Sequence, residues 1–480
     1  MLQAPIAKRI KSLGLIISKR QVGSKGIPLY AYPAYIEQQA LPNQGFKIHI
    51  SATFINAQEI FDKIIPYLLE QHIAFKVVAA SELLRLLNED RFGYTQVGKF
   101  ITVYPRSVSH FVELIYKLDK RLINLDAPII PSDIRFHANS IVYYRYGVIG
   151  NPNNELVLPN GDTIKDERKP NAPIPIWIDD PLQNNRTLQN SSPSKLLLDR
   201  YILLKILRQR AKGLVAIALD IKNSSNNLPK ILILKEARKL GALNDQGLDA
   251  TDRLAKEFAL MKEVAKLGIC PKPIEFVKQE GQAFMTMDFW GKRSLSTALL
   301  EKEAPSKGKL IRICLEVAKK LAKLHAQGVY FFDMSPDNIL LNDRNEGLIS
   351  DFEYALHGDL SNFEGWEVGT PGFSPQPALW ETIKAPFTQK LVYKDIFALG
   401  NIILAIFNRG WYSDMLEARH LPFVDWDIQK PLSKLPKAVQ RICYKTNLLS
   451  EEKYASIAEF IQDLQTLASY GSQGQNTGTQ

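Results

Sequence analysis

The sequence predicts an α+β protein in which a linker joins two folded regions. The chain has 480 residues, which is too many for one ordinary hydrophobic core. Residues 1–150 alternate short strand-like runs with amphipathic helical patterns, whereas the chain from residue 196 onward begins with strand-like runs and continues with long helical ones. Residues 151–195 are rich in Pro, Asn and Asp, a composition typical of a linker.

Each element of the first region follows from its pattern of apolar residues. A period of two predicts a strand, and a period near 3.6 predicts a helix. The predicted strands are KIHISATF, AFKVVAA, KFITVYP and IVYYRYGVI, and the predicted helices are AQEIFDKIIPYLLEQH and SVSHFVELIYKLDKRLIN.

The second region divides into a β-rich part over residues 196–290 and a helical part over residues 291–468. Its predicted strands are YILLKIL, LVAIALDI and KILILKEA, and its clearest helical pattern is LIRICLEVAKKLAKLHAQG. Residues 469–480 finish with GSQGQNTGTQ, which contains no apolar residue, so we predict a disordered tail there.

Composition narrows the classes of function. The net charge of +10 favours anionic partners such as nucleotides or phosphorylated groups, but we find no nucleic-acid-binding motif and expect no such partner. No apolar run has the roughly 18–20 residues that a membrane span needs, so we expect a cytoplasmic protein. The three cysteines, Cys270, Cys314 and Cys443, lack metal-ligand spacing and are predicted to be unpaired thiols.

The stretch YFFDMSPDNILL, residues 330–341, has the spacing of a kinase catalytic loop. Phosphoryl transfer needs a carboxylate near the acceptor hydroxyl and oxygen ligands for a metal ion. Asp333 is placed to accept or orient the acceptor proton, and Asn338 to bind a metal ion through its amide oxygen. The later stretch LISDFEYA offers Asp351, which suits Mg²⁺ because hard divalent cations prefer oxygen ligands.

Other parts of a nucleotide site precede this loop at suitable distances. Lys235 ends an apolar strand run, as expected of a lysine that grips nucleotide phosphates, and Glu257 follows on an amphipathic helix where it can meet that lysine. In FMTMDFW, backbone groups of about Asp288 to Trp290 resemble the hinge that contacts a purine. Gly213 lies in LRQRAKGLVAIA, the region equivalent to a Gly-rich loop. Together these residues predict a bilobal kinase-like fold that uses ATP or GTP with Mg²⁺.

Two departures from protein kinases bear on activity. Phe331 and Phe332 replace the His-Arg pair that usually precedes the catalytic Asp, and Ser335 stands where protein kinases usually carry Lys. The region around Gly213 keeps one glycine where three are usual, although glycine eases the close approach of backbone amides to phosphates. Because the predicted phosphate and metal contacts are all present, we favour an active enzyme over a catalytically silent peptide-binding scaffold.

Polar side chains of the first region share one face of a predicted strand. In FKIHIS, strand alternation places Lys47, His49 and Ser51 on one face and apolar residues on the other. Lys76 lies within the apolar run AFKVVAA. A lysine there either extends its amine to solvent or is held partly desolvated with a lowered pKa, as a general base requires.

Further basic residues follow in strand-like settings. They are Lys99 in GKFITVYP, Arg135 in SDIRF, and Arg145 in VYYRYG, where Tyr146 is its neighbour in the predicted phosphate site. Arginine suits bidentate capture of phosphate. The set fits β-elimination of phosphate from phosphorylated Ser or Thr, which needs a base for the Cα proton, cations for the developing charge, and an acid for the leaving group. His49 is the natural acid.

These motifs resemble those of class III and IV lanthipeptide synthetases. GFKIHISAT, IAFKVV, GKFITVYP, SDIRF and VYYRYG look like the N-terminal phosphothreonine-lyase-like domain of that family, and LPNGDTIKDERKPNAPIPIWI resembles its linker. LILKEAR, DMSPDNILL, ISDFEYA and GTPGFSP resemble its kinase domain. The resemblance spans roughly residues 28–465, in the same domain order.

The resemblance implies a kinase that phosphorylates Ser and Thr in a ribosomally made precursor peptide. A lyase then eliminates the phosphate to leave dehydroalanine or dehydrobutyrine. It implies that Lys76 is the base and His49 the acid, and that phosphate and carbonyl contacts come from Lys47, Lys99, Arg135 and Arg145. Family members normally continue into a cyclase-like domain, so we expect a dehydratase that acts alone, works with a separate cyclase, or is truncated.

The residues leave a second interpretation open. Asp-x-x-Pro-x-Asn spacing also occurs in antibiotic kinases, so the chain could be a Ser/Thr protein kinase or a small-molecule kinase whose N-terminal region only binds or regulates. The sequence does not identify the peptide, the choice between ATP and GTP, or the oligomeric state.

Overall fold

The computed structural model describes residues 5–22, 25–150, 153–170, 174–183, 196–225, 228–358, 369–375, 383, 385–418, 432–447 and 452–473. Contacts between Cα atoms divide the chain into two units. The first comprises residues 1–216, 235–251 and 278–283, and the second comprises residues 217–234, 252–277 and 284–480.

A seven-stranded sheet is central to the N-terminal region. Its strands are β1 (Ile16–Val22), β2 (Lys25–Tyr32), β3 (Gln44–Ile50), β4 (Ala74–Val78), β5 (Ile101–Tyr104), β6 (Ile134–Arg135) and β7 (Val142–Val148). They pair in the order β1-β2-β4-β5-β3-β7-β6, each antiparallel to its neighbours. The helices are α1 (Pro5–Ser12), α2 (Ala57–Glu70), α3 (Ser81–Asn88) and α4 (Val108–Arg121), and a separate hairpin is formed by β8 (Glu155–Val157) and β9 (Thr163–Lys165). The strands and helices predicted here are confirmed.

The hydrophobic core fixes which face of β3 is polar. Phe46, Ile48 and Ile50 are at most 4% exposed, and the ring of Phe46 stacks on that of Phe111 in α4 with centroids 4.6 Å apart. Burying a side chain of this size contributes about 1.5–3 kcal/mol. A one-residue slip would expose all of them, so the register is strongly specified and the alternate side chains, beginning with Lys47, point to the other face.

A second sheet begins the C-terminal region. Its strands are β10 (Tyr201–Arg210), β11 (Gly213–Ser225), β12 (Leu228–Arg238), β13 (Pro273–Gln279) and β14 (Gln282–Asp288), in the order β10-β11-β12-β14-β13. Short strands follow as β15 (Arg293–Ser294), β16 (Val329–Tyr330), β17 (Ile339–Leu341), β18 (Gly347–Ile349) and β19 (Leu356–His357). The helices are α5 (Ala250–Val264), α6 (Leu295–Leu300), α7 (Lys307–Ala326), α8 (Phe387–Phe407), α9 (Arg409–Ala418), α10 (Lys437–Thr446) and α11 (Ile457–Gln473). A sheet-rich part followed by a helical part confirms the predicted order.

The chain's last helix and its cysteines bear on three sequence predictions. Helix α11 ends at Gln473, so the predicted tail of residues 469–480 begins inside a helix, and residues 474–480 lie outside the described part.

All three cysteines are free and buried, as predicted, and burial raises the pKa of each thiol to about 12. Among the described residues, no single helix combines the length and apolar character of a membrane span; α8 and α9 do so only jointly, across a 113° bend.

Candidate active sites

Predicted lyase residues lie opposite one another across the first sheet. Five residues form a row across the sheet, in which each residue lies directly opposite the next one on the neighbouring strand. In order they are Lys76 on β4, Thr102 on β5, His49 on β3, Tyr143 on β7 and Arg135 on β6. Directly opposite residues on antiparallel strands share a face and have Cβ atoms about 4.5–5.5 Å apart. Lys47 pairs with Arg145 two residues along, and the strand period of two puts them on the same face. The structure therefore brings Lys76, His49, Arg135, Lys47 and Arg145 to one surface, the cationic face.

Asp133 anchors this cationic face, and the sequence analysis did not single it out. Its carboxylate accepts a hydrogen bond from His49 Nδ1, forms an ion pair with Lys99 Nζ at 3.0 Å, and accepts the Ser132 hydroxyl at 2.8 Å. The Asp133 side chain is fully buried. Lys99, which the sequence predicts as a phosphate contact, is thus paired with the buried Asp133 carboxylate in the structure.

Burial lowers the pKa of His49 to about 3. Lys99 already balances Asp133, so a protonated imidazole would be a second buried cation beside one carboxylate. The ring is therefore neutral near pH 7, with Nδ1–H donating to Asp133 and Nε2 as the proton-accepting nitrogen. A nearby anion favours the charged form of an imidazole, so phosphate bound to the cationic face would let His49 take up a proton.

A second buried carboxylate, Asp166, holds Arg145. It pairs with the Arg145 guanidinium and accepts the Val148 N–H at 3.0 Å. Gly147 leaves space for the Asp166 carboxylate, because a Cβ on residue 147 would lie 2.7 Å from Asp166 Oδ2. Burial and the charge of Arg145 lower the pKa of Lys47 to about 7. Lys47 therefore exchanges its proton near neutral pH.

Lys76 and Arg135 flank the row and have aromatic neighbours. Lys76 is half-buried, with Nζ 4.1 Å from the centroid of the Tyr30 ring. Arg135 Nε donates to the Ser140 carbonyl at 2.6 Å, and its guanidinium carbon lies 5.7 Å from the centroid of the Tyr143 ring. These contacts hold two cations at opposite ends of a row whose middle is the neutral His49.

Tyr146 is not on the cationic face, contrary to the prediction. Strand alternation turns Arg145 towards Lys47 and Tyr146 to the opposite face. There its ring packs edge-on against Phe46, with centroids 5.3 Å apart. Tyr146 therefore packs against the aromatic core and also lines a pocket together with Arg145; its contact with phosphate stays a prediction.

A pocket of about 490 Å³ opens beside Arg145. Its lining has charged and apolar residues: Ile134, Arg145, Tyr146, Leu156, Ile164, Lys165, Asp166, Glu167, Lys169, Pro170, Ile174, Pro175 and Trp177. Trp177 Nε1 is buried there and has no hydrogen-bond partner among the described residues. The pocket therefore combines apolar and charged lining residues beside the Arg145 guanidinium.

Replacing Asp133 with Asn is expected to lower the free energy of unfolding by about 3–5 kcal/mol, because buried Lys99 loses its counter-ion. Asp62→Asn is the matched control. Asp62 pairs with Arg9 on the surface, with 42% and 46% of the side chains exposed, so its loss should cost about 1 kcal/mol or less. Urea denaturation measures both. Equal destabilisation by the two variants would contradict the role given to Asp133.

The second unit brings the predicted catalytic-loop residues together. Asn338 Nδ2 donates to the Asp333 carbonyl at 2.8 Å and lies 3.4 Å from Asp333 Oδ2. The Ser350 N–H donates to the Asn338 carbonyl at 2.9 Å, which places the following Asp351 beside Asn338. Because the amide nitrogen of Asn338 is used within the loop, its Oδ1 is the atom suited to a metal ion, and Asp351 adds a carboxylate.

Glu257 contacts the backbone directly after Asp351. It is 1% exposed, and its Oε1 accepts the Phe352 N–H at 3.0 Å. Asp351 has a left-handed backbone with φ of 68°, which costs a non-glycine residue about 1–2 kcal/mol, so the bond to Phe352 helps to hold this turn. Lys235 is half-buried on β12, as predicted, and its pairing with Glu257 stays a prediction.

Gly213 and the hinge residues lie where the sequence predicts. Gly213 begins β11 after a tight connection from β10; its φ is 151°, and a Cβ would lie 1.8 Å from the Glu236 carbonyl. The close approach of β11 to β12 therefore requires glycine there. Asp288 ends β14 and pairs with Lys230 at 2.7 Å, and Trp290 follows before β15. Their contacts with a nucleotide stay predictions.

Two residues outside the predicted loop fix its conformation. The Thr370 N–H and hydroxyl each donate to Asp333 Oδ1 at 2.8 Å. Asp395, which is fully buried, accepts the N–H groups of Phe331 at 3.0 Å and Phe332 at 2.8 Å. Thr370 thus holds the Asp333 carboxylate, and Asp395 holds the backbone of its loop. Only a tertiary structure reveals these long-range contacts.

Two family models match this chain. Residues 26–194 match the family described as RamC, N-terminal domain, and residues 213–430 match the protein kinase domain. The chain therefore joins a RamC N-terminal domain to a protein kinase domain. This confirms the predicted domain order and the resemblance to lanthipeptide synthetases.

Three curated relatives match parts of this chain. The probable SapB synthase of Streptomyces coelicolor is 28% identical over 359 residues, which are 70% of this chain and 38% of that protein. Serine/threonine-protein kinase PknG of Mycolicibacterium smegmatis is 26% identical over 239 residues, 48% of this chain and 28% of that protein. Serine/threonine-protein kinase shk2 of Schizosaccharomyces pombe is 29% identical over 119 residues, 25% of this chain and 20% of that protein. The chain spans less than two fifths of each of these three relatives. Together with the protein kinase match over residues 213–430, they support a kinase-type enzyme.

Proposed function

We propose that this chain dehydrates Ser and Thr residues of a ribosomally made precursor peptide in two steps. The kinase domain transfers a phosphoryl group from ATP or GTP to the side-chain hydroxyl, and the N-terminal domain then eliminates phosphate to leave dehydroalanine or dehydrobutyrine. The observation that carries the proposal is the cationic face, where Lys76, His49, Lys47, Arg135 and Arg145 converge in a chain that also has a kinase domain. The match to the probable SapB synthase supports a peptide as the substrate.

In the first step, Asp333 takes the proton of the acceptor hydroxyl. The hydroxyl oxygen forms a bond to the γ-phosphorus, and the bond from that phosphorus to the nucleoside diphosphate breaks. Asn338 and Asp351 would hold Mg²⁺, which supplies charge neutralisation for the phosphates when bound.

In the second step, Lys76 Nζ first releases its own proton to water and, as the neutral amine, takes the Cα proton of the phosphorylated residue. The Cβ–O bond breaks as the Cα–Cβ double bond forms, and phosphate leaves with the bonding electron pair. Lys47 and Arg145 stabilise the negative charge on the carbonyl oxygen and on the phosphate. His49, protonated once phosphate has bound, gives its proton to the departing oxygen, and exchange with water resets both groups.

The cytoplasm of a bacterium is the compartment we propose for this reaction. Nucleotides and newly made peptides are available there, and free thiols persist in reducing compartments. The three buried, unpaired cysteines are consistent with that placement.

A phosphoserine peptide incubated with the full chain in the absence of nucleotide tests the elimination by itself. Mass spectrometry should show loss of phosphate and a dehydroalanine that adds a thiol. A matched phosphotyrosine peptide should stay intact, because its phosphate is not bonded to Cβ. Recovery of intact phosphoserine peptide would contradict the lyase assignment and favour a protein kinase with a binding N-terminal domain.

A further inference from the structure

Lys394 is a buried cation beside the catalytic loop that the reaction described above does not use. It lies on α8 and is 1% exposed. Its Nζ is 3.4 Å from the centroid of the Phe332 ring and 3.6 Å from the point where a Cβ on Gly369 would stand. Phe332 precedes Asp333, and Gly369 precedes Thr370, which bonds Asp333. These contacts place the ammonium group next to the catalytic carboxylate.

A buried ammonium group needs a compensating charge. Burial lowers the pKa of Lys394 to about 7, while the charges of Asp333 and Asp395 raise it. Asp395 already accepts bonds from His325 and from the two N–H groups of the loop. Of these two carboxylates, Asp333 is therefore the one through which the charge of Lys394 can affect phosphoryl transfer.

The catalytic loop supplies no cation of its own to Asp333. Ser335 stands where protein kinases usually carry Lys, and Phe332 stands where they usually carry Arg. Ser335 is 1% exposed, and its hydroxyl has no hydrogen-bond partner among the described residues. The loop thus lacks both usual basic residues, while a lysine from α8 lies against it.

We propose that Lys394 positions Asp333 for phosphoryl transfer, replacing from α8 the lysine that protein kinases carry in the catalytic loop; this rests on the kinase reaction proposed above. The ammonium group holds the Asp333 carboxylate in the orientation that faces the acceptor hydroxyl. It also offsets the negative charge that gathers as the oxygen–phosphorus bond forms. Lys394 acts through Asp333, so it should affect turnover more than nucleotide binding.

The test measures transfer from γ-labelled ATP to a synthetic Ser- and Thr-rich peptide, using the full chain. Lys394→Met and Lys394→Gln remove the charge, and Ser335→Lys combined with Lys394→Met returns a charge from the loop. Lys390→Met, one helical turn earlier on α8, is the matched control. Rates are divided by the nucleotide-binding sites titrated in the same sample, so that unfolded protein is not counted.

Both uncharged variants should lose about 100-fold in kcat, with the KM for ATP changed less than about threefold. The kcat of the Ser335→Lys, Lys394→Met double variant should be at least tenfold higher than that of Lys394→Met alone. Lys390→Met should have the wild-type kcat. If an uncharged variant binds nucleotide and has the wild-type kcat, the proposed role of Lys394 is wrong. The role is also wrong if Ser335→Lys does not restore the kcat that Lys394→Met loses. Absence of transfer by the wild type would instead overturn the proposed kinase reaction itself.

Discussion

An Asp333→Asn variant is expected to leave the precursor peptide with neither phosphate nor dehydrated residues. The asparagine has nearly the same shape, and its carbonyl oxygen can still accept the two bonds from Thr370. The loop should therefore keep its conformation while the proton acceptor is lost. Removing a general base typically slows a reaction about 10²–10⁴-fold, which mass spectrometry of the peptide after incubation with ATP and Mg²⁺ would measure.

Two controls separate this effect from misfolding. Asp343→Asn alters an exposed carboxylate between β17 and β18 and should leave the yield of dehydrated peptide unchanged. The Asp333→Asn variant should also still eliminate phosphate from a synthetic phosphoserine peptide, because the proposed elimination uses the cationic face. Wild-type yields of phosphorylated or dehydrated peptide from Asp333→Asn with ATP would show that Asp333 is not the proton acceptor.

A Lys76→Ala variant is expected to accumulate phosphorylated peptide that is not dehydrated. Kinase residues are untouched, so phosphorylation should proceed, whereas the Cα proton has no base. Loss of the contact with the Tyr30 ring should cost only about 0.5–1 kcal/mol of stability. Phosphopeptide and dehydrated peptide are distinguished by mass, and elimination should slow at least about 100-fold.

Lys63→Ala is the matched control for Lys76. Lys63 pairs with Glu59 on the exposed side of α2, so its removal should leave dehydration unchanged. Mixing the Lys76→Ala and Asp333→Asn variants should restore dehydrated peptide, since phosphopeptide made by one can diffuse to the other. Dehydration by Lys76→Ala alone at the wild-type rate would remove Lys76 from its proposed role.

Local sequence patterns, namely strand alternation and the spacing of the catalytic loop, predict much of the site. Strand alternation places Lys47 and His49 together on one face, and the structure has them so. The same alternation also puts Tyr146 opposite to Arg145, so the sequence held the information that removes Tyr146 from the cationic face. The catalytic-loop spacing likewise brings Asn338 to Asp333, because the contact spans five residues.

Long-range contacts account for what the sequence analysis missed. Asp133 lies 84 residues from His49 along the chain, and only the pairing of strands shows that they meet. Lys394 lies in an apolar helix pattern that gives no sign of its contact with the Phe332 ring. Asp166 lies in a segment with a linker-like composition, although it is buried against Arg145. Such partners depend on register and packing, which one sequence does not specify.

The most direct test of the two-step account is mass spectrometry of a Ser- and Thr-rich peptide incubated with the full chain, ATP and Mg²⁺. The account predicts loss of one water for each modified Ser or Thr, with phosphopeptide appearing first and then declining. Stable phosphopeptide as the final product of the wild-type enzyme would contradict it.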